Sequence, residues 1–309
     1  MSAVLPVSDS TAVDAAAPAA ALPASPPAPA TPSRSERIAA KGVRLQGGQS
    51  RWRPYVMTVL PPVLGMALLV LAWHILAGKT PGFPTPFETW KEALKLFADP
   101  FYRNGPNDQG IGWNILASLK RVALGFGMAA LVGIPLGFLI GRFKFMYGMF
   151  SPIISLLKPV SPLAWLPIGL LVFKAADPAA IWSIFICSIW PMVINTAVGV
   201  QRVPQDYMNV ARVLNLSEWK IVTKILFPSV LPYMLTGVRL AIGTAWLVIV
   251  AAEMLTGGVG IGFWVWDEWN NLNVPHILIA IAIIGIVGLA LELALVALAR
   301  AFTYEQVEN

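Results

Sequence analysis

The sequence predicts an all-α, polytopic membrane protein, and three observations carry that prediction. Charged residues are 12% of the chain and hydrophobic residues 57%, whereas a soluble domain carries about 25% charged residues with which to cover its surface. Mean hydropathy is +0.68. Apolar runs of roughly 20 residues recur, each long enough to cross about 30 Å of hydrocarbon as a helix that satisfies its own backbone hydrogen bonds.

Residues 1–33 are mostly Ala, Pro, Ser and Thr without one Lys or Arg, so the stretch 1–50 reads as a disordered Ala/Pro-rich cytoplasmic tail ahead of a membrane domain over 51–309. A secretory signal would need a basic start and a continuous apolar core, and the tail has neither. Arg34, Arg37, Lys41, Arg44, Arg51 and Arg53 crowd before the first apolar run, as expected of a flank that stays inside.

The first span covers 56–77, with Pro61 and Pro62 in its opening turns. Residues 79–112 are polar and Pro-punctuated, and 87–94 suits a short amphipathic helix outside the bilayer. The second span, 122–140, holds Gly133, Gly137 and Gly141 at every fourth position, where small residues let another backbone approach. The third, 150–173, is broken at Lys158-Pro159-Val160-Ser161-Pro162, and the fourth, 179–198, contains Pro191. The fifth and sixth cover 229–252 and 277–300. In this arrangement thirteen basic residues fall inside and seven outside, which places both termini in the cytoplasm.

Several function classes are excluded. The net charge of +6 does not mark a nucleic-acid partner, because the basic residues sit at the ends of apolar runs and form no stripe. Cys187 is the one cysteine, and His74 and His276 stand apart, so neither a metal site nor a cofactor is expected. Gly78-Lys79-Thr80 lacks the upstream glycine of a phosphate loop. No cluster of acids and histidines marks an embedded enzyme, so no catalytic residue is expected.

Residues 199–228 are a long polar segment between two spans, and connections in compact proteins are usually short. It reads as a cytoplasmic helical hairpin. Pro204 stands where a helix starts. Tyr207, Val210, Ala211 and Leu214 form an apolar stripe while Asp206, Asn209 and Arg212 face elsewhere. Asn215 suits the left-handed residue that ends a helix, and Ser217 suits the cap of the next. The alternative for the stripe is a helix lying on the membrane surface.

This hairpin resembles the signature of ATP-binding-cassette importer permeases: Glu-Ala-Ala, three residues, Gly, nine residues, Ile-x-Leu-Pro. The matching positions are Asn209-Val210-Ala211, Asn215 and Ile225-Leu226-Phe227-Pro228, with the spacing intact and substitutions at Asn209, Val210, Asn215 and Phe227. The resemblance runs over a core of 115–300. Gly237 to Trp246, Val250 to Leu255 and Gly260 to Phe263 resemble the branch that imports nitrate, nitrite, cyanate, bicarbonate, taurine and alkanesulfonates. Tyr207 to Leu214 and Trp266-Asp267-Glu268-Trp269-Asn270 look most like its nitrate permeases.

The resemblance implies the type I importer permease fold in a bacterial inner membrane, with two such permeases in the lipid bilayer, expected here as a homodimer. It also implies two ATPase subunits and a periplasmic substrate-binding protein. Asp206, Tyr207, Asn209, Val210, Ala211, Leu214 and Asn215 would form the helix that couples to the ATPase. A secondary anion transporter or channel is the rival class; it should show two similar halves, and no internal repeat is evident.

Charges at membrane depth cost about 2.5–3.5 kcal/mol each, so each needs a partner or a wet cavity. Lys158, Arg239 and Glu292 each lie about 12–15 Å from the inner ends of their spans, in one layer. Arg239 and Glu292 are expected to form a structural ion pair, and Lys158, Arg239 and Glu253 to line the translocation pathway. Lys158 has a second reading, in which it snorkels or binds loosened carbonyls. Glu253, at the outer end of span five, is expected as a gate or docking contact. Trp264, Trp266 and Trp269 are expected in the interfacial belt.

Overall fold

The computed structural model describes residues 53–304, with side chains over 59–300, so the expected tail and most of the basic cluster lie outside the described residues. The chain divides into two units between Met66 and Ala67. Among the described residues the structure is helical, apart from one isolated bridge between Arg103 and Gln109.

Helix α1 (Arg53–Lys79) contains Pro61 and Pro62. It leads to α2 (Pro86–Leu96), the expected amphipathic helix, which is opened by a capping box. Glu88 Oε2 accepts from the Thr85 amide at 2.8 Å, and Thr85 Oγ1 accepts from the Glu88 amide at 3.3 Å, so two donors that the first turn would leave orphaned are satisfied. Then come α3 (Ile111–Arg142), α4 (Lys144–Leu157), α5 (Pro162–Phe173) and α6 (Ala176–Gln201). After α7 (Gln205–Val213) and the short α8 (Glu218–Ile221), a π-helical turn at Val222–Leu226 runs into α9 (Phe227–Thr256). The chain closes with α10 (Ile261–Asn270) and α11 (Val274–Tyr304).

Five helical stretches are long and apolar enough to cross a membrane, and α4 with α5 makes a sixth if the pair is one broken span. The two meet at 100°, at the predicted break, because Pro159 and Pro162 supply no amide hydrogens and Pro162 can only open a helix.

Helix α6 is the centre of the bundle. Ile184, Met192, Val193 and Thr196 on it are fully buried, with α3 on one side and α9 on the other. The predicted glycine ladder faces α6. A Cβ on Gly133 would stand 3.1 Å from Ile189, one on Gly137 2.7 Å from Thr196 Cβ, and one on Gly141 2.6 Å from Val200 Cβ. The helices therefore touch backbone to backbone, which in lipid replaces the missing hydrophobic drive with dispersion contact. On the other side a Cβ on Gly237 would stand 2.8 Å from the Pro191 carbonyl oxygen.

Two boundaries differ from expectation. Helix α3 starts at Ile111, not near 122, because its polar first turns find partners inside the protein. Pro228 does not end the hairpin, since α8, the π turn and α9 form one 39-residue rod from Glu218 to Thr256. A wider turn ahead of a proline moves the carbonyl its ring would strike, so the rod continues.

Candidate functional site

Helix α7 begins after Pro204, and Asn215 closes it with φ 45°. The Leu216 amide donates to the Ala211 carbonyl at 3.0 Å and the Asn215 amide to the Arg212 carbonyl at 3.0 Å, the paired bonds of a left-handed C-terminal cap. Asparagine serves because it tolerates that conformation better than other non-glycine residues. Ser217 occupies the cap position of α8 with extended backbone, but its side chain makes no capping bond.

The apolar stripe divides in two. Ala211 is wholly buried, and with Met208 and Leu216 it seats α7 on Val200, Val203, Ile221, Leu226, Val230 and Met234. Tyr207, Val210, Val213 and Leu214 are 53%, 56%, 82% and 63% exposed, and Asp206, Asn209 and Asn215 are exposed with them. About two turns of helix thus present an unpartnered apolar surface, which marks an interaction site. Beside it a cavity of about 1240 Å³ opens among Arg142, Lys144, Gln201, Gln205, Arg212 and Glu218. Arg142 Nη2 donates to Glu218 Oε1 at 3.1 Å, tying the end of α3 to the start of the 39-residue rod.

That rod carries Arg239 at mid-length. Arg239 Nε donates to Glu292 Oε1 on α11 at 2.9 Å, and a second donation comes from Nη2. The two expected partners are therefore in contact, with side chains 54% and 44% exposed. Lys158 caps the C-terminus of α4 at the break; its side chain is exposed and makes no ion pair among the described residues.

Glu253 departs from expectation. It is 1% exposed and so closed to direct docking. Its carboxylate accepts from Arg121 Nη1 at 2.7 Å, from Ser118 Oγ at 2.7 Å and from the Gly262 amide at 3.0 Å. Arg121 also donates to the Val259 carbonyl at 2.7 Å and to Asp177 at 2.8 Å. The Gly260 and Ile261 amides donate to Asn114 Oδ1 at 2.8 Å and to Ser118 Oγ at 2.9 Å. The Gly260, Ile261 and Gly262 amides at the start of α10 are thereby held by side chains of α3 and α9, and a buried carboxylate has its charge and lone pairs satisfied. Sequence reasoning missed Asn114, Ser118, Arg121 and Asp177 as members of one site. The signal was present, since Asn114, Ser118 and Arg121 recur at helical spacing on one face.

Trp264 is also inside, 7% exposed and stacked on His276 at 5.7 Å between ring centroids, because α10 turns it onto the core. Trp266 and Trp269 remain exposed, at 42% and 58%. His276 is not isolated, as its Nδ1 lies 3.0 Å from Glu268 Oε1.

Comparison with known proteins agrees with this architecture. Residues 133–304 match the family described as binding-protein-dependent transport system inner membrane component. The nitrate import permease protein NrtB of Synechocystis sp. is 51% identical over 239 residues, 77% of this chain and 87% of that protein. The bicarbonate transport system permease protein CmpB of Synechococcus elongatus is 42% identical over 264 residues, 82% of this chain and 95% of that one. Among solved structures, an inward-facing MetNI methionine ABC transporter chain superposes with a TM-score of 0.53 at 16% identity, covering 61% of this chain and 94% of that chain, which establishes a shared fold. The described helices have the type I importer permease fold, and the chain belongs to the family of inner-membrane components of binding-protein-dependent transport systems.

Proposed function

We propose that this chain is the permease for nitrate, with nitrite or cyanate as further cargo, in an ATP-driven importer. The observation that carries the reading is the exposed apolar face of α7, closed by Asn215 and seated through Ala211 on the rod that bears Arg239. In this reading Tyr207, Val210 and Leu214 enter an ATPase subunit, with Asp206 and Asn209 at the rim. Nucleotide-driven closure of two ATPase subunits moves α7, Ala211 and Leu216 pass the motion to Leu226 and Val230, and α9 turns. The chain itself hydrolyses nothing. Two copies enclose the pathway, within lipid, and Lys158 and Arg239 supply positive charge along it. Glu253 acts by holding the end of α9 to α10. Both termini and the hairpin are cytoplasmic, and a periplasmic binding protein delivers the anion to the opposite face.

The identity to a named nitrate permease favours nitrate, and the identity to a named bicarbonate permease supports bicarbonate as the second reading; taurine and alkanesulfonates follow on the resemblance of 237–263. The test is ATP-dependent uptake of labelled nitrate, bicarbonate and taurine by proteoliposomes holding the full complex. Nitrate accumulation that requires ATP and the binding protein is the expected result. Uptake by this chain alone, driven by an ion gradient, would instead identify a secondary transporter. Cysteine pairs between Val210 and the ATPase should cross-link; labelling of Val210 from the periplasmic side would refute the orientation.

A further inference from the structure

Two of the ion pairs, Arg121 with Glu253 and Arg239 with Glu292, are built differently. Glu253 is 1% exposed and accepts bonds from Arg121, Ser118 and the Gly262 amide, which is the saturation expected of a structural pair. Glu292 accepts from Arg239 alone among the described residues, through Oε1, while Oε2 has no partner there. Arg239 spends Nε and Nη2 on that single oxygen and leaves Nη1 open. Both side chains are about half exposed, at 54% and 44%, in the middle of their helices.

Hydrocarbon would make that exposure costly, so the open side of the pair faces water or another chain. On the same side of α9, Thr236 and Gly243 are exposed beside Leu240 and Leu247, which are 55% and 70% exposed, so a mixed face of small and apolar residues flanks the pair. A guanidinium presents a planar fork of donors that fits any planar pair of oxygens on one central atom. A carboxylate offers that arrangement, and so does a planar oxyanion of the nitrate or bicarbonate kind.

We infer that Glu292 is a built-in surrogate for the transported oxyanion: it occupies Arg239 between transport events, yields it to the arriving anion, and recaptures it as the anion leaves. This rests on the reading of Arg239 as part of an anion pathway. The exchange gives a physical solution to a conflict. An arginine alone in a narrow path would hold the anion and slow its release, and a fully neutralised one would not attract it. A half-satisfied carboxylate on the neighbouring helix makes the site attractive yet leaky, and no bond beyond hydrogen bonds and ion pairing is made or broken.

The test compares nitrate and bicarbonate uptake by the complete complex in proteoliposomes for wild type, Glu292→Gln and Arg239→Gln, with thermal stability measured for each. With the competing carboxylate neutralised, Glu292→Gln should lower the KM for the anion about tenfold and lower kcat by at least as much, since release then limits turnover. Arg239→Gln should raise KM. A Glu292→Gln complex with unchanged KM and a loss of kcat that follows its loss of thermal stability would show a mere staple between α9 and α11 and overturn the exchange. Wild-type complex that imports oxyanion while Glu292→Gln keeps its KM removes the exchange alone. Wild-type complex that imports no oxyanion removes the functional reading and the exchange with it.

Discussion

Arg121→Met is the substitution whose cost the structure defines best. It keeps an unbranched side chain of similar length and deletes the one positive charge that faces Glu253. The carboxylate would remain 1% exposed, with Ser118 and the Gly262 amide as donors and no counter-charge. Removing one member of a buried pair costs about 3–5 kcal/mol, because the other charge is left uncompensated. Loss of the exposed contact to Asp177, itself 67% exposed, adds about 0–1 kcal/mol at most. For a large domain 1 kcal/mol moves the midpoint by roughly 2–4 °C, so thermal unfolding of the purified permease in detergent should fall by about 6–24 °C. Asp177→Asn should shift it by about 4 °C at most on the same scale. Arg121→Met with Glu253→Leu should be more stable than Arg121→Met alone, since the stranded charge is gone. If Arg121→Met costs no more than Asp177→Asn, the pair is not the buried clasp described here.

Other outcomes follow from single residues. Gly137→Val should cost about 1–3 kcal/mol by overpacking, read as loss of monodisperse protein on size exclusion, because its Cβ would stand 2.7 Å from Thr196 Cβ; Gly148→Ala, with nothing within 4 Å, should leave the profile unchanged. Asn215→Gly should keep the cap of α7, while Asn215→Val should cost about 1–2 kcal/mol of left-handed strain and reduce coupled uptake more than it reduces yield. Ala211→Leu should unseat α7 from its fully buried position and lower ATP-dependent uptake while ATP hydrolysis persists. The Thr85 amide bonded to Glu88 holds that carboxyl below its ordinary value of 4.5. Its folded pKa is thus depressed, so the cap's stabilisation is present above the ordinary value and lost as pH falls through the folded one. A spin label at Lys95 should gain mobility over that acid range, and Glu88→Ala should show the same mobility at neutral pH.

The glycine ladder was legible because its spacing has one physical use, a close helix approach, and α6 is the surface it meets. The break at Lys158 to Pro162 and the left-handed Asn215 were legible for the same reason: proline and asparagine restrict the backbone locally, whatever surrounds them. The rod through Pro228 was not, since a proline read alone says stop, and the π turn that accommodates it depends on packing over Val222–Leu226.

Local chemistry and periodicity therefore determine the helices, their apolar lengths and the place of the hairpin. Which charges are buried was decided by the fold. Arg121 and Glu253 stand 132 positions apart and have no local pattern that joins them, and their neighbours in sequence would suit the exposed end of a span equally well. Electrostatic partnership at that separation exists only when α3, α9 and α10 are assembled, because a charge interacts with what lies within a few ångströms in space and not with what lies beside it in the chain.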